Sequence, residues 1–311
     1  MPPAASILHR ETRPLYAIFL RLLAMAAITT TFALVKLLGE RGVNIIELIF
    51  YRQFLAIPIV YAWIVTTRGP MGFTTRRIDR HATRTALGII GMLLNFGAVS
   101  LLPLAESTTI GFTAPIFATI LSALFLGEKT GIHRWSAVIL GFIGVIIMAR
   151  PDSSHFPPLG LAVAMAAAVS VAIISIVLRE LSRTEPAPVI VFWFSVLSVP
   201  PAGAAMFWFG QVHSLETFLL LGLLGLAGGI SQMLMTSALR WGPVSIVLPM
   251  DYSSILWATL LGWLLWNTLP AGSTWVGAAL IIASGLYIAW REHRLGQIAK
   301  LNAQADADMR A

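Results

Sequence analysis

The sequence predicts an all-α polytopic membrane protein whose ten transmembrane helices form two inverted five-helix repeats around a central cavity. Three observations support this fold class: the composition, ten apolar runs of helical length, and a similarity between the two halves of the chain. The 311 residues are 57% hydrophobic and 11% charged, whereas soluble domains carry about 25% charged residues. Each crossing of a hydrocarbon core about 30 Å thick needs roughly 20 apolar residues, so the chain has room for about ten crossings.

The composition also excludes several classes of function. The chain has no cysteine, so disulfides, thiolate nucleophiles and cysteine metal sites are excluded. Its net charge of +7 lies mostly in short loops without interleaved aromatic residues, which argues against a nucleic-acid partner. The histidines lack a metal-ligand spacing, and no P-loop is present. We therefore expect no metal, no cofactor and no ATP as fuel; the expected partners are membrane lipid and a small solute.

Ten apolar runs have the length of a membrane span. They fall at about 15–37, 44–66, 84–102, 105–126 and 133–150 in the first half, and at about 158–179, 188–209, 217–239, 245–266 and 272–290 in the second. Each is expected to be a helix, because hydrocarbon offers no water to backbone groups and a closed barrel would show period-two alternation. A cleaved signal peptide is rejected for the first run, because apolar sequence continues to Leu38.

Charges in the loops predict the orientation, because Lys and Arg accumulate on the cytoplasmic side of the membrane. Most of them lie in the two tails and in the loops after even-numbered spans, above all between Arg68 and Arg84. The loops on the other side hold Lys36, Arg41 and Arg150. We therefore expect a multi-pass protein of a bacterial inner membrane with both termini in the cytoplasm.

The two halves of the chain resemble each other. Residues 24–27 recur at 164–167, and Trp135 matches Trp275, each about 140 residues further along. Five helices per unit make the second copy enter from the opposite side, and inverted repeats of this kind are typical of transporters. The predicted organisation is a cytoplasmic N-terminal tail at 1–14, a first repeat at 15–151, a second repeat at 152–291 and a cytoplasmic C-terminal tail at 292–311.

A family resemblance lies in residues 103–151. This segment has Pro115 within a small and apolar helix, a Leu-Gly-Glu turn at 126–128, and Gly141 with Gly144 in the following helix. The pattern resembles the EamA-type repeat of the drug/metabolite transporter superfamily. The resemblance implies two five-helix repeats enclosing a cavity that is lined mainly by spans 1, 3, 4, 6, 8 and 9. Members of this superfamily include amino-acid exporters and carriers of vitamins, nucleotide-like metabolites and drugs.

The second copy departs from this pattern at one place, since Asn267 and Thr268 stand where the turn would have Gly-Glu. The resemblance nevertheless covers nearly the whole chain. It is specific for the family and does not identify the solute.

Amides in two matched spans are the first candidates for solute contact, because polar groups persist in spans where they face protein or a wet cavity. Asn95 in span 3 and Gln232 in span 8 each follow a glycine by one turn, and Met235 and Thr236 continue the Gln232 face. We predict that Asn95 and Gln232 face each other across the cavity. The alternative is that the glycines allow close packing and the amides join neighbouring helices.

Asp251 is the acidic residue placed well inside a span, about 9 Å from its cytoplasmic end at 1.5 Å per residue. A carboxyl group in that position is a candidate for proton coupling or solute binding. The alternative is a helix cap after the break expected at Pro249. Ser254 and Trp257 share one face with Asp251, and the indole is placed to stack on a solute or to fill the core.

Thr109 and Thr113 lie one turn apart in span 4, and Pro115 leaves the carbonyl of Gly111 without its helical donor. These groups either bind solute or, as the favoured alternative, mark a bend where the threonines bond to their own helix.

Charged residues within spans are expected to be structural. Arg52 needs a partner, either Glu47 or, better, a group on another helix, because an unpaired charge there costs about 2.5 to 3.5 kcal/mol. Lys36 and Glu106 lie near the external ends of spans 1 and 4, where side chains snorkel to the interface. The alternative is that either residue selects charged solutes at the outer mouth.

The sequence therefore predicts a secondary transporter that moves a small organic metabolite by alternating access. Export of amino acids or related metabolites is the first choice, and uptake of a vitamin or nucleotide-like metabolite is the alternative. An intramembrane enzyme is the distant alternative, because the chain has no H-E-x-x-H pair, no catalytic cysteine and no Ser/His pair at one depth.

Overall fold

Helices account for 87% of the fold in a computed structural model that describes residues 13–125, 132–149, 157–241 and 244–308. No strand occurs within these ranges. The helices are α1 Pro14–Glu40, α2 Ile45–Arg68, α3 Ile78–Leu101, α4 Leu104–Gly111, α5 Ala114–Phe125, α6 Ile132–Ala149, α7 Pro158–Leu181, α8 Ala187–Phe209, α9 Leu215–Trp241, α10 Val244–Val247, a 3₁₀ helix Leu248–Ser253, α11 Ser254–Trp266 and α12 Gly272–Asp308. The turn at 126–128 and the loop around Ser153 lie outside the described residues.

Most of these helices can cross a membrane. Within the described ranges, eight segments are long and apolar enough by length and composition, and 135–149 in α6 is a shorter apolar helix. One of the eight, 104–121, runs through α4 into α5. Taking α4 with α5 as one broken helix, and α10, the 3₁₀ helix and α11 as another, the described chain contains ten helices. The number and order of the predicted helices are therefore present.

Both broken helices contain a proline near the break, since proline has no N–H and its ring clashes with the carbonyl four residues earlier. In the first, the α-helical pattern stops at Gly111 and restarts at Ala114, just before Pro115. In the second, Pro249 lies at the start of the 3₁₀ helix. The bend predicted at Pro115 and the break predicted at Pro249 are both found.

Two helices extend beyond their predicted apolar runs. The predicted start of the third span near residue 84 is wrong, because α3 begins at Ile78 with polar residues that a hydropathy pattern does not detect. The last helix continues from Gly272 to Asp308, because polar residues with good helix propensity can extend a helix beyond the membrane. Its candidate membrane span is Gly272–Arg291, which agrees with the predicted run at 272–290.

The helices contact each other in a symmetric pattern. The main contacts pair α1 with α9, α6 with α12, α2 with α9, α3 with α7 and α2 with α8. Exchanging the first five helices for the second five turns the α1–α9 contact into the α3–α7 contact and leaves the α2–α8 and α6–α12 contacts in place. The α2–α9 contact corresponds to a smaller contact between α3 and α8, so the two halves are related by an approximate twofold axis. A buried apolar core that includes Leu34, Leu38, Leu48 and Leu224 joins α1, α2 and α9. The outer faces keep large apolar side chains exposed, such as Leu264 and Phe207, which suits contact with lipid.

Candidate functional site

Asp251 forms an ion pair with Arg21 inside the bundle. Arg21 donates through Nε to Oδ1 of Asp251 and through Nη2 to Oδ2, the latter over 2.6 Å. Its Nη1 also donates to the carbonyl of Met235 over 3.3 Å. The Arg21 side chain is 4% exposed and that of Asp251 is 33% exposed. This arrangement connects α1, α9 and the 3₁₀ helix, and the carboxylate keeps one side open.

The alternative prediction for Asp251, a cap on a half-helix, is wrong. The N-terminal cap position of α11 is Ser253, and no side chain caps it. Both carboxylate oxygens of Asp251 bind Arg21 instead. Because a bidentate guanidinium pair is directional and charge-assisted, Asp251 fixes its own 3₁₀ helix to α1, and Arg21 joins α9 to the same junction.

Arg52 extends from α2 to a position between α3 and α9. Its Nη1 donates to Oε1 of Gln53 over 2.7 Å and lies 3.5 Å from Sδ of Met92 on α3. Its stem passes Gly228 on α9 so closely that a Cβ there would lie 3.1 Å from Nε. The side chain is buried and Nε has no hydrogen-bond partner. The predicted acidic partner is therefore wrong for the described residues, because Glu47 binds His213 Nε2 at 2.8 Å instead.

Arg84 is a second cation on the same side of α3, half-buried as a whole with two of its nitrogens enclosed. Its guanidinium lies over the ring of Phe194 on α8, 3.6 Å from the ring centroid. The side chain runs along α3, and a Cβ at Gly88 would lie 2.5 Å from its Nη1. Its Nε and Nη1 are buried without a hydrogen-bond partner. Sequence patterns placed Arg84 in a cytoplasmic loop, whereas the structure places it inside α3.

The predicted hydroxyl groups bond mostly to their own helices. Thr109 donates to Ala105, Thr113 to Ile110, Thr236 to Gln232 and Ser254 to Asp251, in each case to a backbone carbonyl at 2.6 to 2.9 Å. The favoured alternative for Thr109 and Thr113, local bonding at a bend, is therefore confirmed. These hydroxyls still have acceptor capacity, but their donors are occupied.

The two predicted amides differ in their partners. Asn95 donates from Nδ2 to the carbonyl of Gly91 in its own helix over 2.7 Å. Gln232 is half-buried, and its side chain has no hydrogen bond within the described part of the chain. Trp257 on α11 is also half-buried, with its indole N–H uncommitted among the described residues. Gln232 and Trp257 are therefore the predicted polar residues whose side chains make no hydrogen bond among the described residues.

The glycines beside the two amides pack against neighbouring helices. Gly91 faces Ser170 and Ile174 of α7, and Gly228 faces Arg52 of α2. Close helix packing, one of the two alternatives for these glycines, is therefore present. Whether Asn95 and Gln232 also contact solute stays a prediction.

A set of polar contacts closes the end of the bundle that holds the α1–α2 loop. Lys36 donates to the carbonyls of Val99 and Leu102 over 3.2 and 3.1 Å. Glu106 accepts from Thr274 Oγ1 over 3.1 Å and borders a cavity of about 270 Å³. The expectation that Lys36 and Glu106 snorkel to the interface is wrong, because both bond between helices.

Within the described ranges no group of three His, Asp or Glu side chains is placed to hold a metal ion. The candidate site residues that sequence patterns missed are Arg21 and Arg84. The sequence did contain a sign for Arg21. Arg21 lies seven residues after the start of α1, and Asp251 lies seven residues after the start of the broken ninth helix, so each is about 10 Å from the start of its helix. No comparable sign existed for Arg84, which lies among loop arginines in the sequence.

Protein-family comparison gives a match over both halves of the chain. The family described as "EamA-like transporter family" matches residues 15–150 and again residues 158–290. One solved crystal structure superposes with a TM-score of 0.60 at 19% identity, covering 91% of this chain and 98% of its own. That likeness concerns the fold alone.

Curated relatives carry transporter names. A protein of Rhizobium johnstonii named riboflavin transporter is 32% identical over 69% of this chain and 71% of its own length. A protein of Rickettsia bellii named S-adenosylmethionine uptake transporter is 27% identical over 88% of this chain and 93% of its own. A riboflavin transporter of Vibrio cholerae is 29% identical over 75% of this chain and 79% of its own.

Proposed function

The chain belongs to the EamA-like transporter family, and from this membership we propose that it is an uptake carrier for a vitamin-like or nucleotide-like metabolite. The observation that carries the proposal is the set of names given to relatives that match most of the chain, which are riboflavin and S-adenosylmethionine transporters. These names favour the alternative predicted from the sequence over amino-acid export.

The residues of the site suit such a solute. Riboflavin and S-adenosylmethionine both combine a flat heteroaromatic ring with polar groups. An indole such as that of Trp257 can stack on a ring, and the free amide of Gln232 can both donate to and accept from ring heteroatoms. An aliphatic amino acid would leave such an indole without a partner for stacking.

Alternating access is supported by hydrogen bonds that join helices at one end of the bundle. Bonds from Lys36 to α3 and from Glu106 to α12 close one end. In the predicted orientation this is the outer end. Breaking these few bonds, and forming others at the cytoplasmic end, would expose the solute to the outside.

Proton coupling at Asp251 is part of the proposal. Protonation of the carboxylate would neutralise it and convert the ion pair with Arg21 into a weaker contact. That change would loosen α1 from the 3₁₀ helix, which is where the ninth helix is already broken. A proton would therefore change the packing of a helix that the solute site also uses.

Counterflow in proteoliposomes tests the solute class. Vesicles containing the purified chain are loaded with unlabelled riboflavin, S-adenosylmethionine, leucine or methionine, and entry of the same labelled compound is followed. We expect exchange with riboflavin or S-adenosylmethionine and none with the two amino acids. Exchange with an amino acid alone would restore amino-acid export as the function. Protein-free vesicles prepared in parallel give the leak rate.

A further inference from the structure

Arg52 is buried and Arg84 is half-buried, with its Nε and Nη1 enclosed, and no carboxylate neutralises either guanidinium within the described ranges. Apart from His81, the buried ionisable groups nearby are engaged, with Arg21 bound to Asp251 and Glu47 to His213. The acidic residues at the start of α3 are also occupied, since Asp79 and Glu180 lie 3.7 Å from Arg80 and Glu185 accepts from Thr75 at 2.7 Å. The two arginines therefore differ from every other buried charge around them.

The contacts they do make are weak substitutes for an anion. Arg52 donates one hydrogen bond to the side-chain amide oxygen of Gln53, whose Nε2 lies 3.5 Å from Ser198 Oγ. The guanidinium of Arg84 packs against the face of the Phe194 ring. Three buried guanidinium nitrogens, Nε of Arg52 with Nε and Nη1 of Arg84, remain without an acceptor. Burying charge without a compensating acceptor is strongly unfavourable, so the site is incomplete as it stands.

The two guanidinium groups lie close enough to share one ligand. Nη1 of Arg84 lies beside Gly88, and Nη1 of Arg52 lies beside Met92. Gly88 and Met92 are one turn apart on α3, a rise of about 6 Å. A single carboxylate or phosphate placed between them could accept hydrogen bonds from both forks, a geometry for which guanidinium groups are well suited.

Two more polar groups without partners lie on the same helix. Both ring nitrogens of His81 and the hydroxyl of Thr85 are buried and have no hydrogen bond. His81 and Thr85 precede Gly88 by seven and three residues, so all three lie on one face of α3. These unpartnered polar groups thus continue along one face of α3 from His81 toward Met92.

We propose that Arg52 and Arg84 bind an anionic group, phosphate or carboxylate, of the transported solute. This rests on the proposed function, and it narrows the solute to metabolites that are anionic at one end. Gln232 lies one turn beyond Gly228 on α9, and Asn95 three residues beyond Met92 on α3. The remainder of the solute would extend toward these amides.

Riboflavin 5′-phosphate and riboflavin form a matched pair of probes, because they share a ring system and differ by one phosphate. Binding to the purified chain in neutral detergent is measured by equilibrium dialysis, with inorganic phosphate and S-adenosylmethionine as further probes. We expect the wild-type chain to bind at least one anionic probe and to bind riboflavin 5′-phosphate at least tenfold more tightly than riboflavin. Failure of all three probes that carry a phosphate or a carboxylate group to bind would overturn the site.

Variants separate a binding role from a structural one. Arg52→Met and Arg84→Met keep an apolar stem of similar length, and each should weaken anion binding at least tenfold while leaving or raising the unfolding temperature. Arg84→Lys should retain part of the binding. Arg80→Gln, one turn earlier on α3 with a side chain that is 52% exposed, is the matched control and should leave binding unchanged. Unchanged anion binding with a lowered unfolding temperature in both Met variants would show that the arginines serve packing.

The source of the anion and the transport role are tested separately. Vesicles of phosphatidylcholine with and without phosphatidylglycerol show whether a lipid headgroup competes for the site, and such competition would overturn the assignment to solute. Anion binding that depends on both arginines, without counterflow of any probe, would support the site and refute the transport proposal. Counterflow that is equal in wild type and both Met variants would support transport and refute the site.

Discussion

Arg21 and Asp251 are 230 positions apart in the chain, yet they form a bidentate ion pair that joins α1 to the 3₁₀ helix. A third bond from Arg21 to the carbonyl of Met235 adds α9 to the same junction. The 3₁₀ segment leaves backbone groups less regularly bonded than an α-helix does. The ion pair therefore stabilises the one place where the ninth helix is broken.

We expect removal of one partner of this pair to destabilise the protein. Asp251→Asn and Arg21→Gln should each lower the free energy of unfolding by about 3 kcal/mol, the low end for a buried pair, because Asp251 stays one-third exposed. Thermal unfolding in detergent measures the effect. Combining Arg21→Met with Asp251→Leu should recover most of the loss. A loss in this double variant equal to the sum of the losses in Arg21→Met and Asp251→Leu alone would indicate that the pair is not coupled.

Asp251→Asn should also affect coupling. A neutral amide cannot carry a proton, so transport driven by a pH gradient should fall at least fivefold more than exchange without a gradient. Uptake and counterflow of the same labelled solute in proteoliposomes give the two rates. Glu216→Gln, on an exposed residue that binds Arg41, serves as a control. If both rates fall equally in Asp251→Asn, the carboxylate is a structural partner of Arg21 and does not carry the proton.

The helices could be predicted from the sequence because each membrane crossing is a continuous run of mostly apolar residues. Hydropathy located the centre of every helix, and Pro115 and Pro249 marked the two breaks. The start of α3 escaped prediction because its first turn is polar, and Arg84 was consequently assigned to a loop. Neighbours between helices were not predictable in the same way, since nothing local to Arg21 or Asp251 specifies that α1 packs beside the broken helix.

The orientation can be tested with engineered cysteines, because the chain has none of its own. Val212→Cys and Ser214→Cys lie before α9, and Val212 is 98% exposed. Met71→Cys lies after α2, and the native Met71 is 71% exposed. We expect an impermeant maleimide to label positions 212 and 214 in intact cells and position 71 only after permeabilisation. The reverse pattern would place both termini outside and would invert the roles of the two ends.

The last prediction concerns the amides. Gln232 has no side-chain hydrogen bond among the described residues, whereas Asn95 already donates to Gly91. Gln232→Ala should therefore weaken solute binding by about 1 to 3 kcal/mol, the cost of leaving a buried partner unpaired, and should leave the unfolding temperature nearly unchanged. Asn95→Ala should weaken binding less and lower stability slightly, because it also removes a bond within α3.

Binding isotherms with the solute identified by counterflow, together with thermal unfolding, give the two quantities for each variant. Thr236→Val is the matched control on α9, one turn beyond Gln232, because its hydroxyl donates to the carbonyl of Gln232 over 2.9 Å. That variant should alter solute binding less than Gln232→Ala does, since its donor is committed to the backbone. If Gln232→Ala and Asn95→Ala both keep wild-type affinity and lose stability, the amides join helices, and solute recognition must lie elsewhere in the bundle.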